Sequence, residues 1–193
     1  MKFRSKYLFL FLVPSILFTF SCKSSQIKNY ESKGNLASSY SLKCSTISEL
    51  FNYYTPADIF PAVRDCIEKG EYENASYLQA AAGVYGRYDT LRVEDRSAHQ
   101  AIRVLQINIL GTIEQEKLKA YQEYFQTNVM TSNEKLLYVC QSMNALGKPT
   151  YTPNYMIAHG ISSFSDKDHW MVKNFDPEKA WNSAIDSYLH CPK

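Results

Sequence analysis

The sequence predicts an all-α fold, a compact bundle of about six to seven helices stapled by disulfides. Apolar residues recur at helical spacing in one segment after another, and most of these segments follow a capping residue. The alternating pattern of strands is absent over any useful length, and residues 170–172 are the one brief candidate for extended chain. The count of cysteines predicts the disulfides.

Residues 1–21 are typical of an export signal. Lys2, Arg4 and Lys6 form a basic head, and the apolar run that follows is short for a membrane span and contains Pro14. The string Leu17-Phe18-Thr19-Phe20-Ser21-Cys22 resembles the lipobox of bacterial lipoproteins, although Thr19 and Phe20 depart from its pattern. The resemblance implies lipidation of Cys22. The alternative is ordinary signal-peptidase cleavage, which releases a soluble secreted protein with a spare cysteine.

Residues 22–43 are rich in Ser, Lys and Asn and predict a flexible tether, so a single helical domain is expected over residues 44–193. The whole chain has 21 basic and 19 acidic residues. Loss of the three basic residues of the leader leaves 18 against 19, a net charge of −1. This balance gives no indication of nucleic-acid binding.

Residues 55–110 are the stretch around which the chain is organised, and they predict two helices closed by a glycine turn and then a third. We expect Asp58 to cap the first helix with Pro61 in its first turn, Gly70 to end it, and Gly86 to end the second. The three apolar stripes are Ile59, Phe60, Val63, Cys66 and Ile67; Ala75, Leu78, Ala81, Ala82 and Tyr85; and Ala98, Ala101, Ile102, Leu105 and Ile109.

The turn Gly70-Glu71-Tyr72-Glu73-Asn74-Ala75 resembles the turn between the two helices of a tetratricopeptide or Sel1-type repeat. Those families use Gly to turn, an aromatic residue to pack and Ala where helices cross. The resemblance covers one repeat of ~34 residues, and no second copy follows at that period. It therefore serves as a packing analogy, and an ordinary helical hairpin is the favoured interpretation.

Shorter helices are predicted on both sides of this stretch. Before it, Thr46 and Glu49 form a capping box for a helix reaching Tyr53. After it, Thr112 is the expected N-cap of a helix from Ile113 to about Gln126, and Ser132 that of a helix with Leu136, Leu137, Cys140 and Met143 inward. Thr152 is expected to cap a short helix that ends at His159-Gly160. Asp176 is expected to cap the last helix, with Pro177 at N1 and a buried stripe of Ala180, Trp181, Ala184, Ile185, Tyr188 and Leu189.

Five cysteines are present, and lipidation of Cys22 would leave four. An even number in an oxidising compartment suggests two disulfides, and four cysteines allow three connectivities. Chain order favours Cys44–Cys66 and Cys140–Cys191. Their spacing is unlike that of zinc sites or redox CxxC motifs, so we expect structural bridges.

No catalytic motif or cofactor-binding motif is present, and we expect no cofactor and no metal. His99, near Glu94 and Asp95, is the best candidate for acid–base work, against the favoured interpretation of a polar helix start. Asp166, Asp168 and His169 offer hard ligands but lack the spacing of a calcium loop. Ser97 and Ser162 lie outside any nucleophile elbow.

The run from Tyr151 to Gly160 is unusual because two tyrosines, a methionine and a histidine lie between prolines and a glycine. Tyr151, Tyr155 and His159 could line a binding surface. They could equally form a corner packed on the core, and the abundance of tyrosine in this chain favours packing.

Two functions from different classes follow. The first is a non-enzymatic exported protein of the cell envelope that binds another protein; one specific version is an immunity protein that neutralises an antibacterial toxin in the periplasm. Its expected location is the periplasmic side of a membrane, held by the N-terminal lipid, or the periplasm if no lipid is attached. The alternative is an envelope hydrolase acting on peptidoglycan or lipid, with a site that the sequence does not reveal.

Overall fold

The structure is a computed structural model, and it describes residues 31–165 and 170–191. These residues form seven α-helices and no strand; the one β-bridge joins Val93 to Met171. The helices are α1 Pro56–Lys69, α2 Tyr72–Arg92, α3 Ala101–Leu110, α4 Gln115–Tyr124, α5 Asn133–Leu146, α6 Asn154–Ile157 and α7 Pro177–Leu189. Short 3₁₀ turns cover Ile47–Glu49, Arg96–Gln100 and Ile161–Phe164, and a π turn, Phe125–Val129, follows α4. The predicted all-α fold is confirmed.

The hairpin of α1 and α2 is the centre of the core. Thr55, not Asp58, is the N-cap of α1, and Asp58 is the third residue of a capping box in which each side chain bonds the other's backbone N–H. Pro61 consequently lies inside the helix instead of its first turn. Gly70 ends α1 in the left-handed conformation as predicted, with φ 78°.

Helix α2 continues through Gly86 to Arg92, so the prediction that Gly86 ends it is wrong. Gly83 and Gly86 allow side chains of two other helices to come close to the backbone of α2. A Cβ atom at Gly83 would lie 1.9 Å from the hydroxyl oxygen of Tyr188 on α7, and one at Gly86 would lie 2.5 Å from Cδ1 of Ile102 on α3. The missing side chains therefore make room for two neighbouring helices.

The outer helices follow the predicted caps only in part. Ser132 and Asp176 cap α5 and α7 through their side chains, as expected. Thr112 does not cap α4, because its hydroxyl donates to Ile109 O, and Pro153 takes the N-cap position expected of Thr152. The Thr46–Glu49 capping box forms, but it opens only a single 3₁₀ turn.

Residues 31–43 pack against the helices, in contrast to the flexible tether predicted over residues 22–43. Asp58 Oδ1 accepts hydrogen bonds from Ser38 Oγ and from the backbone N–H groups of Ser39 and Tyr40, at 2.9, 2.6 and 2.8 Å. Leu36 and Leu42 contact the core, and the compact unit begins at Glu31. The polar composition of this segment predicts disorder, whereas in the structure Asp58 and the carbonyl of Tyr155 accept hydrogen bonds from its backbone.

The structure confirms both predicted disulfides, Cys44–Cys66 and Cys140–Cys191. The first joins the segment before α1 to the last part of that helix, and the second joins α5 to Cys191, the second residue after α7. Among the described helices, none is long and apolar enough to span a membrane. The predicted leader and Cys22 lie outside the described residues.

Candidate functional site: an exposed aromatic knob

The predicted tyrosine surface is turned inward, so the packing alternative is the one observed. Tyr155 is only 2% exposed, and its hydroxyl donates to Asp89 Oδ2 at 2.7 Å. The half-buried Tyr151 donates to the same oxygen at 3.0 Å. His159 lies with Nδ1 2.8 Å from Asn35 Oδ1. These side chains hold α6 and residues 31–43 on the core, and they do not form a common binding surface.

Asp89 is the centre of this buried polar cluster. Its Oδ1 accepts from Arg92 Nε at 2.8 Å, and the Arg92 guanidinium lies over the rings of Tyr88 and Tyr151. Burial raises the pKa of Asp89, while Arg92 and the hydroxyls of Tyr155 and Tyr151 act to lower that pKa. Since Asp89 is fully buried, no substrate reaches it, and the cluster is structural.

A second polar cluster joins α2, α4 and α5. Glu73 accepts from Lys135 Nζ at 2.8 Å, from Tyr77 at 2.8 Å and from Tyr124 at 2.9 Å. The hydrogen bond from Lys135 lowers the pKa of Glu73, the same bond raises the pKa of Lys135, and burial raises that of Tyr77. These shifts all lead away from neutrality, so they leave none of the three poised for proton transfer near pH 7.

The candidate His–carboxylate pair near the start of α3 is not formed. His99 Nε2 lies 2.9 Å from Val93 O, and Asp95 instead accepts from Ser97 N and Oγ and from Ser162 N. Partial burial raises the pKa of Asp95, but the hydrogen bonds from Ser97 and Ser162 outweigh it and lower the pKa to about 2. Asp95 therefore remains a carboxylate, and its hydrogen bonds join the Arg96–Gln100 turn to the Ile161–Phe164 turn.

The described residues contain one group of potential metal ligands, Cys44, Cys66 and Glu71, within 4.8 Å of one another. The two sulfurs are bonded to each other, so they do not offer the thiolates that a metal requires. The candidate ligands Asp166, Asp168 and His169 lie outside the described residues.

The most distinctive surface feature is a cluster of aromatic side chains before α1, here called the aromatic knob: Tyr40, Phe51, Tyr53 and Tyr54. Tyr40, Phe51 and Tyr53 are 46%, 54% and 40% exposed. Phe51 and Tyr53 stack with centroids 5.3 Å apart, and Tyr54 meets Phe51, Tyr53 and Tyr40 edge to face. The knob therefore presents a rigid apolar surface to solvent.

A groove of about 460 Å³ adjoins the knob between the Ile47–Glu49 turn and α5. Phe51 belongs to both the knob and the groove, and the rest of the apolar side of the groove is lined by Ile47, Leu50, Tyr138, Ala145 and Leu146. Tyr138 is itself 41% exposed and packs on Tyr77. Knob and groove together extend an aromatic surface from Tyr40 to α5.

The sequence does not predict this surface, because its composition places Tyr40 in the tether and its capping box places residues 51–53 in a helix. The local signal was the run Phe51-Asn52-Tyr53-Tyr54, in which adjacent aromatic residues cannot all face the core of a helix.

Comparison with family models, with curated proteins and with solved structures finds no match to this chain. The function of this chain therefore has to be inferred from the site itself.

Proposed function

We propose that this chain is a non-enzymatic, exported protein of the cell envelope that binds another protein through the aromatic knob and its groove. The observation that carries the proposal is the exposure of Tyr40, Phe51 and Tyr53 in one rigid cluster. Tyrosine and phenylalanine are enriched at protein interfaces, and charged residues are depleted from the centres of interfaces. The residues of the knob and the groove carry no formal charge at neutral pH.

The shape of the knob favours a protein partner over a glycan. Tyr40 and Tyr54 stand 70° apart, Phe51 and Tyr54 73° apart, and Tyr53 and Tyr54 67° apart. Phe51 and Tyr53 are nearly parallel, with 7° between their planes, but Tyr54 stands across the other three rings, so the four rings do not form one continuous flat platform for a sugar ring. A projection beside a groove fits the shape complementarity of protein interfaces, where aromatic anchors fill pockets of the partner.

The polar clusters support a binding role over the alternative of an envelope hydrolase. A hydrolase needs an acid and a base that both reach the substrate. Asp89 is fully buried, Glu73 is paired with Lys135, and Asp95 is held by backbone and serine donors. These three carboxylates are committed to stabilising the fold.

Export and anchoring are part of the proposal. The two disulfides favour an oxidising compartment, and the leader before Cys22 supplies the route. We propose lipidation of Cys22 and a location on the periplasmic side of a membrane. Cys22→Ala should move the protein to the soluble fraction or block its processing; wild-type protein that is soluble with an unmodified N-terminus would contradict the anchor.

The specific version of the proposal is an immunity protein that neutralises an antibacterial toxin in the periplasm. A small, disulfide-stapled, exported helical domain with one exposed aromatic surface suits that role. The product of the gene adjacent to this one is the partner to test first. Protection of a cell that exports this product would support the immunity function, and unchanged killing would contradict it.

Binding is measured with the purified, oxidised protein immobilised and the adjacent gene product in solution. The double variant Phe51→Ser, Tyr53→Ser should raise Kd at least about 30-fold, the effect of losing about 2 kcal/mol at an interface hot spot. Ile161→Ser is the matched control, because Ile161 is 76% exposed and lies outside the knob. Equal affinity of the two variants would contradict the knob as the interface, and retention on isolated peptidoglycan instead would favour the hydrolase alternative.

A further inference from the structure

A second concave site lies away from the knob, between α2, the π turn, α5 and the end of α7. It has a volume of about 400 Å³, within the range of roughly 300–1,000 Å³ that is typical of small-molecule sites. Its walls are mostly apolar and are contributed by Ala80, Phe125, Val129, Leu136, Val139 and Leu189.

The α2 wall carries two polar side chains beside its apolar atoms. Ser76 Oγ donates to Tyr72 O at 2.8 Å, and Gln79 Oε1 accepts from the Tyr121 hydroxyl at 3.1 Å. These two oxygens already have partners, which a ligand competing for them would have to displace. The wall is therefore suited to an apolar body such as an alkyl chain.

Lys135 is the cationic side chain of the cavity lining, and it forms an ion pair with Glu73, which lies outside the lining. Among the described residues that line it, no carboxylate is present and Lys135 is the one with a formal charge at neutral pH. Its ammonium donates to Glu73 at 2.8 Å and to the Tyr124 hydroxyl at 2.7 Å. An ammonium has three N–H groups, so one remains for a ligand. The exposed side chains of Asn133 and His190 lie at the solvent side of the lining.

The Cys140–Cys191 disulfide keeps two walls of the cavity at a fixed distance. Cys140 follows the lining residue Val139 on α5, and Cys191 follows the lining residue His190 after α7. A site whose walls are held before binding loses less entropy when a ligand enters.

We infer that this cavity binds a single-chain anionic amphiphile, with its alkyl chain against the apolar walls and its acidic head group at Lys135. This inference is independent of the aromatic knob and of a protein partner.

Isothermal titration of the oxidised protein with laurate tests the site, with dodecyltrimethylammonium as a ligand of similar chain length and opposite charge. We expect saturable binding of one laurate and at least tenfold weaker binding of the cation. No saturable binding of laurate, or equal affinity for both ligands, would overturn the inference.

Two variants that fill the cavity from opposite walls locate the site, Ala80→Phe on α2 and Val129→Trp in the π turn. Each should weaken laurate binding at least tenfold while the melting temperature stays close to that of the wild type; the second variant decides if the first does not fold. Laurate affinity that survives in a folded variant would overturn the placement.

Lys135→Gln should weaken laurate binding about tenfold, the effect expected for loss of one charge-assisted hydrogen bond. Lys119→Gln is its control, since Lys119 lies on α4 with a side chain that is 76% exposed. Phe51→Ser should leave laurate binding unchanged, which separates this site from the aromatic knob. Equal effects of Lys135→Gln and Lys119→Gln would overturn the role of Lys135.

Discussion

Asp58 lies fully buried at the start of α1 and accepts five hydrogen bonds. Its Oδ2 binds the backbone N–H and hydroxyl of Thr55, which starts the helix, and its Oδ1 binds the residues that lead into the domain. A buried carboxylate is tolerated only when its oxygens are satisfied in this way. One side chain thereby begins a helix and orders the segment before it.

Replacing Asp58 by Asn tests this double role. The amide nitrogen would face a backbone N–H group on either side, that of Thr55 or those of Ser39 and Tyr40, so at least one buried donor would lose its acceptor. We expect a loss of about 1–3 kcal/mol in the free energy of unfolding, measured by urea denaturation. Asp186→Asn on the exposed face of α7 is the control, and an equal effect of both substitutions would contradict the role of Asp58.

At the scale of the elements, α2 is the helix on which the neighbouring helices pack. It packs against α1 and α7, and its two glycines lie at close contacts, Gly83 with Tyr188 of α7 and Gly86 with Ile102 of α3. Gly83 and Gly86 lower the intrinsic helix propensity of α2, a cost of about 1 kcal/mol each relative to Ala. Close packing of α7 and α3 offsets that cost.

Gly86→Ala should therefore destabilise the protein even though Ala is the better helix former. Its Cβ would lie 2.5 Å from Cδ1 and 2.6 Å from Cγ1 of Ile102, and a β-branched side chain has little freedom to move away. Overpacking of this kind costs about 1–3 kcal/mol, which meets or exceeds the gain in propensity.

A double-mutant cycle with Ile102→Ala provides the check by thermal denaturation. Removal of the clashing carbons should make Gly86→Ala neutral or stabilising in that background. The same cost in both backgrounds would contradict the contact as the cause.

At the scale of the whole molecule, the two disulfides restrain different parts of the chain. Cys44–Cys66 closes a separation of 22 residues around the entry to α1, and Cys140–Cys191 closes 51 residues and holds the end of α7. In the chain-entropy model these bridges contribute about 3 and about 4 kcal/mol by restricting the unfolded chain. A domain of this size gains a substantial part of its net stability in this way.

Reduction should lower the melting temperature, and Cys191→Ser combined with Cys140→Ser should lower it more than the corresponding pair at Cys44 and Cys66. Hydrogen exchange should rise selectively in α7 after loss of the Cys140–Cys191 bridge. That helix ends at Leu189, and the bridge two residues later is what links its end covalently to α5. Non-reducing peptide mapping verifies the starting state, and unchanged exchange in α7 would contradict the tie.

The sequence by itself determined what depends on neighbours a few residues apart. Ser132 and Asp176 could be recognised as N-caps and Gly70 as a helix end, since each acts on backbone groups within three or four positions. The helical periodicity of the buried stripes likewise predicted the all-α fold, and chain order predicted the disulfide pairs.

Only the tertiary structure decided what depends on distant partners. Tyr155 is buried with its hydroxyl bonded to Asp89, 66 residues earlier, and Gly86 has no room for a side chain because Ile102 packs against it. The same holds for the aromatic knob, where Tyr40 meets Tyr53 and Tyr54 only because Asp58 holds the preceding backbone in place. Burial and contact are properties of the packed chain, so local pattern could identify these residues without telling which would face the core and which the solvent.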